Sequence, residues 1–98
     1  MSFTRETQIE AYLRDKAKEH GGYALKWVCP SWDGVPDRIL ILPQGRIAFV
    51  ELKSPGKTAR PNQLRWQERL RNLGFKAYIA DSKKDIDEIF MVVMSNEI

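Results

Sequence analysis

The sequence predicts an α/β fold: a mixed central sheet flanked by helices, with elements in the order αβββαβα. Three observations carry this expectation. Apolar residues recur at helical spacing in three segments, as in Ile9, Leu13 and Ala17. Four short apolar runs of strand length lie among them, Tyr23–Val28, Arg38–Leu42, Arg46–Leu52 and Phe75–Ala80. Glycine and proline clusters punctuate the boundaries.

The first helix is expected over Thr4–His20. Phe3 can staple its entry, Thr4 can cap it, and Gly21-Gly22 ends it. Tyr23–Val28 follows as a strand. Cys29–Pro36 holds two prolines and a glycine and reads as loop. Arg38–Leu42 and Arg46–Leu52 are separated only by Pro43-Gln44-Gly45, so they should pair as an antiparallel hairpin. Ser54-Pro55-Gly56 breaks the chain, and Pro61 suits the first turn of a helix that runs to Leu73 and closes at Gly74. Phe75–Ala80 is the last strand. Ser82 can cap a final helix bearing Ile86, Ile89, Phe90 and Val93. A strand, a helix and a strand in succession favour a parallel crossover.

Length bounds the organisation. The chain has 98 residues, which suits a single domain spanning 1–98. Apolar residues make up 43%, enough for one modest core. A chain of this size buries only about two-thirds of its unfolded surface, so a homodimer would add stability. No apolar run approaches the ~20 residues that cross a bilayer. The start, Met1-Ser2-Phe3-Thr4-Arg5-Glu6, lacks the pattern of a signal peptide. The lone Cys29 excludes an internal disulfide and an all-cysteine zinc site. A cytoplasmic protein with no membrane partner is the expectation.

Net charge is +3, but its distribution is uneven. Between Lys53 and Lys76 stand seven cations, Lys53, Lys57, Arg60, Arg65, Arg69, Arg71 and Lys76, against one acid, Glu68. Such a stretch suits a phosphate backbone, although a solvated helix face has the same composition.

Chemistry concentrates at Gly34-Val35-Pro36-Asp37 and Ile47-Ala48-Phe49-Val50-Glu51-Leu52-Lys53. Side chains alternate along a strand, so Glu51 and Lys53 emerge on one face at its end. The hairpin brings Asp37 beside them. Phosphodiester hydrolysis needs a nucleophilic water and neutralised phosphate charge, and a divalent ion held by carboxylates supplies both. Magnesium takes hard oxygen ligands, one or two of them carboxylates. Asp37 and Glu51 are the natural ligands, and the Leu52 backbone carbonyl lies between Glu51 and Lys53. Lys53 could orient or help deprotonate the water, or stabilise the transition state. An acid-x-lysine triplet alone is unspecific, and Asp81-Ser82-Lys83 also matches. That second match lacks a preceding Pro-Asp, and its serine serves better as a helix cap.

Together with Arg60-Pro61-Asn62-Gln63, Trp66, Leu70 and Gly74, these motifs resemble the VRR-NUC (virus-type replication-repair nuclease) domain, a branch of the PD-(D/E)xK nuclease superfamily. The resemblance runs from Glu6 to the last helix. It implies a restriction-endonuclease-like fold and Mg2+- or Mn2+-dependent DNA cleavage. It also implies branched DNA such as four-way junctions as substrate, a homodimer, and a DNA repair or phage setting, with no small-molecule substrate. Carried over, Asp37, Glu51 and Lys53 form the catalytic core, and Gln63 is the helix glutamine. Glu6 is the best match to the family's first-helix acid, with Glu10 one turn further as the alternative. Gln63 has support of its own, since helical spacing places it on one face with Trp66, Leu70 and Leu73.

Lys26, Arg38, Lys57 and Arg60 lie close in sequence to the acids and are candidate DNA contacts. Trp32, in the loop before Asp37, could stack on a base. Trp27 and Trp66 read as core. His20 suits a helix C-terminus, and Cys29 a small packed position. Two other readings are compatible with the basic stretch: a non-catalytic DNA-binding accessory module, or a nuclease acting on flap, linear or RNA substrates.

Overall fold

The computed structural model describes residues 5–95. The elements are α1 (Glu6–Glu19), β1 (Tyr23–Lys26), β2 (Arg38–Leu42), β3 (Arg46–Leu52), α2 (Pro61–Asn72), β4 (Lys76–Ala80) and α3 (Lys83–Val93). The order is the expected αβββαβα. Phe3 and Thr4, expected to staple and cap the first helix, lie outside the described residues. Arg5 is the N-cap of α1, and its backbone N–H donates to Gln8 Oε1 at 3.0 Å. That bond satisfies one donor which the first turn leaves without a helical partner.

The sheet runs β1-β2-β3-β4. β1–β2 and β2–β3 are antiparallel, and β3–β4 is parallel. The β2–β3 hairpin has the predicted bounds. It pairs Leu42 with Arg46 and Arg38 with Val50, so the start of β2 lies against the end of β3. β1 stops at Lys26, two residues short of the expectation, because the chain leaves the sheet there and Val28 is exposed. Gly22, at the corner between α1 and β1, approaches β2 so closely that a Cβ would meet the Ile41 carbonyl oxygen at 2.1 Å. No larger residue fits this corner without moving a strand.

Alternation along the strands divides the core into two clusters. Leu40, Leu42, Ala48, Val50 and Leu52 point to one face, against Ile9, Leu13 and Ala17 of α1 and Ile86, Ile89, Phe90 and Val93 of α3. The other face holds the smaller cluster of Phe49, Ala77 and Leu70 of α2, with Trp27, Ile39 and Trp66 packed on it. Tyr12 Oη donates to Asp87 at 2.6 Å and clasps α1 to α3, with Lys16 joining the same carboxylate at 3.0 Å. His20 is the C-cap of α1, and its Nδ1 lies 2.9 Å from the Lys16 carbonyl oxygen.

Two side chains of α2 depart from the expected stripe. Leu73 is 72% exposed, because the helix ends at Asn72 and Leu73 is its C-cap. Gln67 is buried instead, and its Nε2 donates to the Tyr78 carbonyl at 3.1 Å. Arg71 also belongs to this joint. Its guanidinium donates to the Ala77 carbonyl at 2.8 Å and to Gln67 Oε1 at 3.2 Å. Among the described residues, no helix is long and apolar enough to cross a membrane.

Candidate active site

The hairpin register brings the two carboxylates together. Pro36 is buried, and Asp37 follows it at the entry to β2. The Asp37 carbonyl accepts from Trp27 N–H at 2.8 Å, which fixes its backbone to the end of β1. Its carboxylate turns the other way: Oδ2 accepts from the backbone N–H of Leu52 at 2.9 Å. Asp37 is therefore tied to β3 at the residue between Glu51 and Lys53. In an antiparallel ladder a residue's N–H and C=O point to the same neighbour, so the Leu52 carbonyl also faces the Asp37 side.

Glu51 is only 3% exposed. Its Oε2 accepts from Gln63 Nε2 at 2.8 Å and lies 3.7 Å from Lys53 Nζ. Its Oε1 is buried with no hydrogen-bond partner. A buried ionised carboxylate is costly unless each oxygen finds a donor or a cation. Burial, chiefly, and the neighbouring Asp37 charge push the Glu51 carboxyl up to about 7; Lys53 opposes the rise and Glu6 adds to it. A cation at Oε1 would reverse that shift.

Gln63 is oriented from both ends. Pro61 opens α2 and Arg60 is its N-cap. Gln63 Oε1 accepts the Arg60 backbone N–H at 2.8 Å, which turns its amide nitrogen inward to Glu51. Lys53 continues the parallel ladder by donating its N–H to the Ala80 carbonyl at 2.9 Å. The turn that follows is pinned by Asp81, whose Oδ2 accepts from Gly56 N–H at 3.1 Å. Ser82 Oγ caps α3 by accepting from Asp85 N–H at 3.1 Å. The second acid-x-lysine triplet is thus structural.

The two first-helix acids separate. Glu10 Oε2 pairs with Arg38 Nη2 at 2.8 Å and is engaged in the fold. Glu6 is exposed on the first turn of α1, near enough to act on Glu51 through its charge. Among the described residues, no three His, Cys, Asp or Glu side chains are grouped to hold a metal ion. The donors present are two carboxylates, one bearing the orphaned oxygen, and a strand carbonyl. That set fits a hard divalent cation completing its shell with water and phosphate oxygens.

Of the expected DNA contacts, Lys26, Lys57 and Arg60 are exposed. Arg38 is not available: it is 8% exposed and spent on Glu10 and on the Ala24 carbonyl at 3.0 Å. The reason is alternation, which puts Arg38 on the α1 side of the sheet with Leu40 and Leu42. Sequence reasoning passed over Asn62, whose side-chain amide donates to Asp33 and moors the Trp32 loop to α2. Its only signal was its place beside Gln63.

The site thus sets an acid at the entry to β2 against an acid near the end of β3 and a lysine just beyond it. The VRR-NUC domain model matches residues 28–84. A protein of Acyrthosiphon pisum secondary endosymbiont phage 1, named "Putative nuclease p44", is 43% identical over 93 residues, covering 95% of this chain and 99% of that protein. A solved structure described as a VRR_NUC domain superposes with a TM-score of 0.81 at 32% identity, covering 88% of this chain and 94% of that one. A second, described as a VRR_NUC domain protein, has a TM-score of 0.74 at 16% identity, covering 95% and 90%, and speaks for the fold alone. The chain belongs to the VRR-NUC family of nucleases. Glu6 and Glu10 lie outside the matched residues.

Proposed function

We propose that this chain is a Mg2+- or Mn2+-dependent endodeoxyribonuclease that hydrolyses phosphodiesters in branched DNA. The observation that carries this reading is the buried Glu51 with an unpartnered oxygen, held beside Asp37 and Lys53. A protein that only bound DNA would gain nothing from two carboxylates placed where phosphates must lie. Asp37, Glu51 and the Leu52 carbonyl would hold the ion, which when bound supplies charge neutralisation and a more acidic water. Gln63 keeps the Glu51 carboxylate in its rotamer. Lys53 stands 3.7 Å from Glu51, where its ammonium can orient the attacking water or meet the charge that builds on the phosphate. Glu6, exposed at the start of α1 and acting on Glu51 through its charge, would add negative charge to the ion's surroundings.

Lys26, Lys57 and Arg60 are the proposed phosphate contacts, each an exposed cation close in sequence to the acids. The proposed homodimer is supported by the sheet face beyond α2, which leaves Tyr23, Leu25, Ile41 and Ile47 exposed. Contiguous apolar surface of this kind is uncommon on a monomer. A two-fold dimer would also present two such sites to a junction.

The test is a pair of variants. Asp37→Asn and Lys53→Ala should abolish cleavage of a labelled four-way junction in manganese while keeping the fold and salt-sensitive DNA binding. Full cleavage by Lys53→Ala would overturn the assignment.

A further inference from the structure

The loop that delivers Asp37 also carries Trp32, and the first turn of α2 holds this loop at Asp33 and Gly34. Gln63 reaches inward to Glu51, while its neighbour Asn62 reaches the other way to Asp33. Gly34 sits at φ +93°, with its Cα so close to α2 that a Cβ would lie 2.8 Å from the Asn62 carbonyl carbon. Trp32 N–H donates to the Cys29 carbonyl at 3.1 Å, which closes the turn. The indole of Trp32 then meets that of Trp66 edge to face, with centroids 5.8 Å apart at 82°. Whichever ring supplies the edge, Trp32 keeps at least one face clear of Trp66. The residue is 56% exposed.

A large aromatic fixed from two sides and still open to solvent is costly as packing and well suited to stacking. The helix that braces it carries cations. The Arg69 guanidinium stands 5.1 Å from the Trp66 ring, and Arg60 and Arg65 are exposed on the same helix. Aromatic faces beside backbone-binding cations are the means by which proteins hold unstacked bases.

We propose that Trp32, braced in an edge-to-face pair with Trp66, is a stacking platform for an unpaired nucleobase beside the scissile phosphate, so that this residue selects DNA with unpaired bases over intact duplex. The inference rests on the nuclease reading for the site but not for the platform. A paired base is already stacked on both faces and cannot reach Trp32 without leaving the helix. An unpaired base at a branch point or bulge bears no unpairing cost, so the platform discriminates by the state of the base and not by its identity.

The experiment uses the full chain and two DNAs of matched sequence, one fully paired and one with 2-aminopurine unpaired at a branch point. Binding is read by 2-aminopurine quenching in a Lys53→Ala background, and cleavage in manganese with Lys53 intact. Trp32→Ala should remove the quenching and lower the preference for the unpaired substrate on the order of tenfold. Trp32→Phe should retain much of both, which separates stacking from folding. Unchanged quenching in Trp32→Ala overturns the platform, as does an equal loss on both DNAs. Quenching that depends on Trp32, without cleavage of either DNA by the Lys53-bearing chain, would overturn the nuclease reading and leave the platform standing.

Discussion

Gln63 Nε2 donates to Glu51 Oε2 at 2.8 Å while Gln63 Oε1 holds the Arg60 backbone N–H at the same distance. One amide thus joins the start of α2 to the end of β3. It leaves the second Glu51 oxygen, Oε1, as the free donor of the site. The position of α2 and the orientation of the proposed metal ligand are one variable.

Replacing Gln63 by leucine removes this bond at nearly constant volume. The buried Glu51 oxygen then lacks its donor, and the protein should lose about 1–3 kcal/mol of stability above neutral pH. The manganese concentration for half-maximal cleavage should rise as well. Denaturant unfolding in chelator and a metal titration of the cleavage rate check both.

Glu51 makes stability depend on pH with an unusual sign. Its folded-state value is about 7 against an ordinary 4.5. The folded protein therefore holds a proton that the unfolded chain has released. Metal-free stability should be greatest below pH 4.5 as far as this group is concerned, decline between pH 4.5 and 7, and stay level above. Glu51→Gln should abolish cleavage and yet raise stability at pH 8 in chelator by on the order of 2 kcal/mol, seen as a higher melting temperature. Melts of both proteins at pH 5 and pH 8 decide it, and added manganese should narrow the gap only for Glu51.

Arg38 and Lys57 should behave oppositely. Arg38→Met breaks a pair whose Arg38 side chain is 10% exposed and whose Glu10 side chain is 28% exposed. The cost should be about 2 kcal/mol, below that of a fully buried pair. The salt dependence of DNA binding should not change. Lys57→Ala should leave stability alone and reduce the slope of log affinity against log salt by about one. Unfolding curves and a salt titration separate the two.

Gly34→Ala tests the mooring of the Trp32 loop. The left-handed backbone and the 2.8 Å approach to Asn62 both oppose a methyl group. Stability should fall by about 1–3 kcal/mol. Cleavage should fall with it, because the same loop carries Asp37. Comparison with Asn62→Ala, which cuts the Asp33 bond without the backbone strain, shows whether mooring or strain dominates.

The hairpin was readable to the residue, because Arg38–Leu42 and Arg46–Leu52 are bounded by turn-formers and their apolar positions suit one register. The pairing of Asp37 with the end of β3 follows from that register. Leu73 was misjudged because helical spacing identifies a stripe but not where the helix stops, and the burial of Gln67 depends on a β4 carbonyl that no local pattern reports. Arg38 was legible in principle, since alternation places it with Leu40 and Leu42. Its proximity to Asp37 in sequence suggested a phosphate contact instead. Which of Glu6 and Glu10 is free depends on Arg38, 28 residues from Glu10 in the chain, and no local pattern reports it. The Trp32–Trp66 contact is equally long-range.

The measurement that bears most directly on the metal-dependent nuclease reading is cleavage of a labelled four-way junction, beside a linear duplex of matched sequence, in manganese with and without chelator. Paired cuts in the junction that vanish with chelator and with Lys53→Ala are the expected result. Cleavage that persists in excess chelator, or salt-sensitive binding with no cleavage of either DNA, would contradict it.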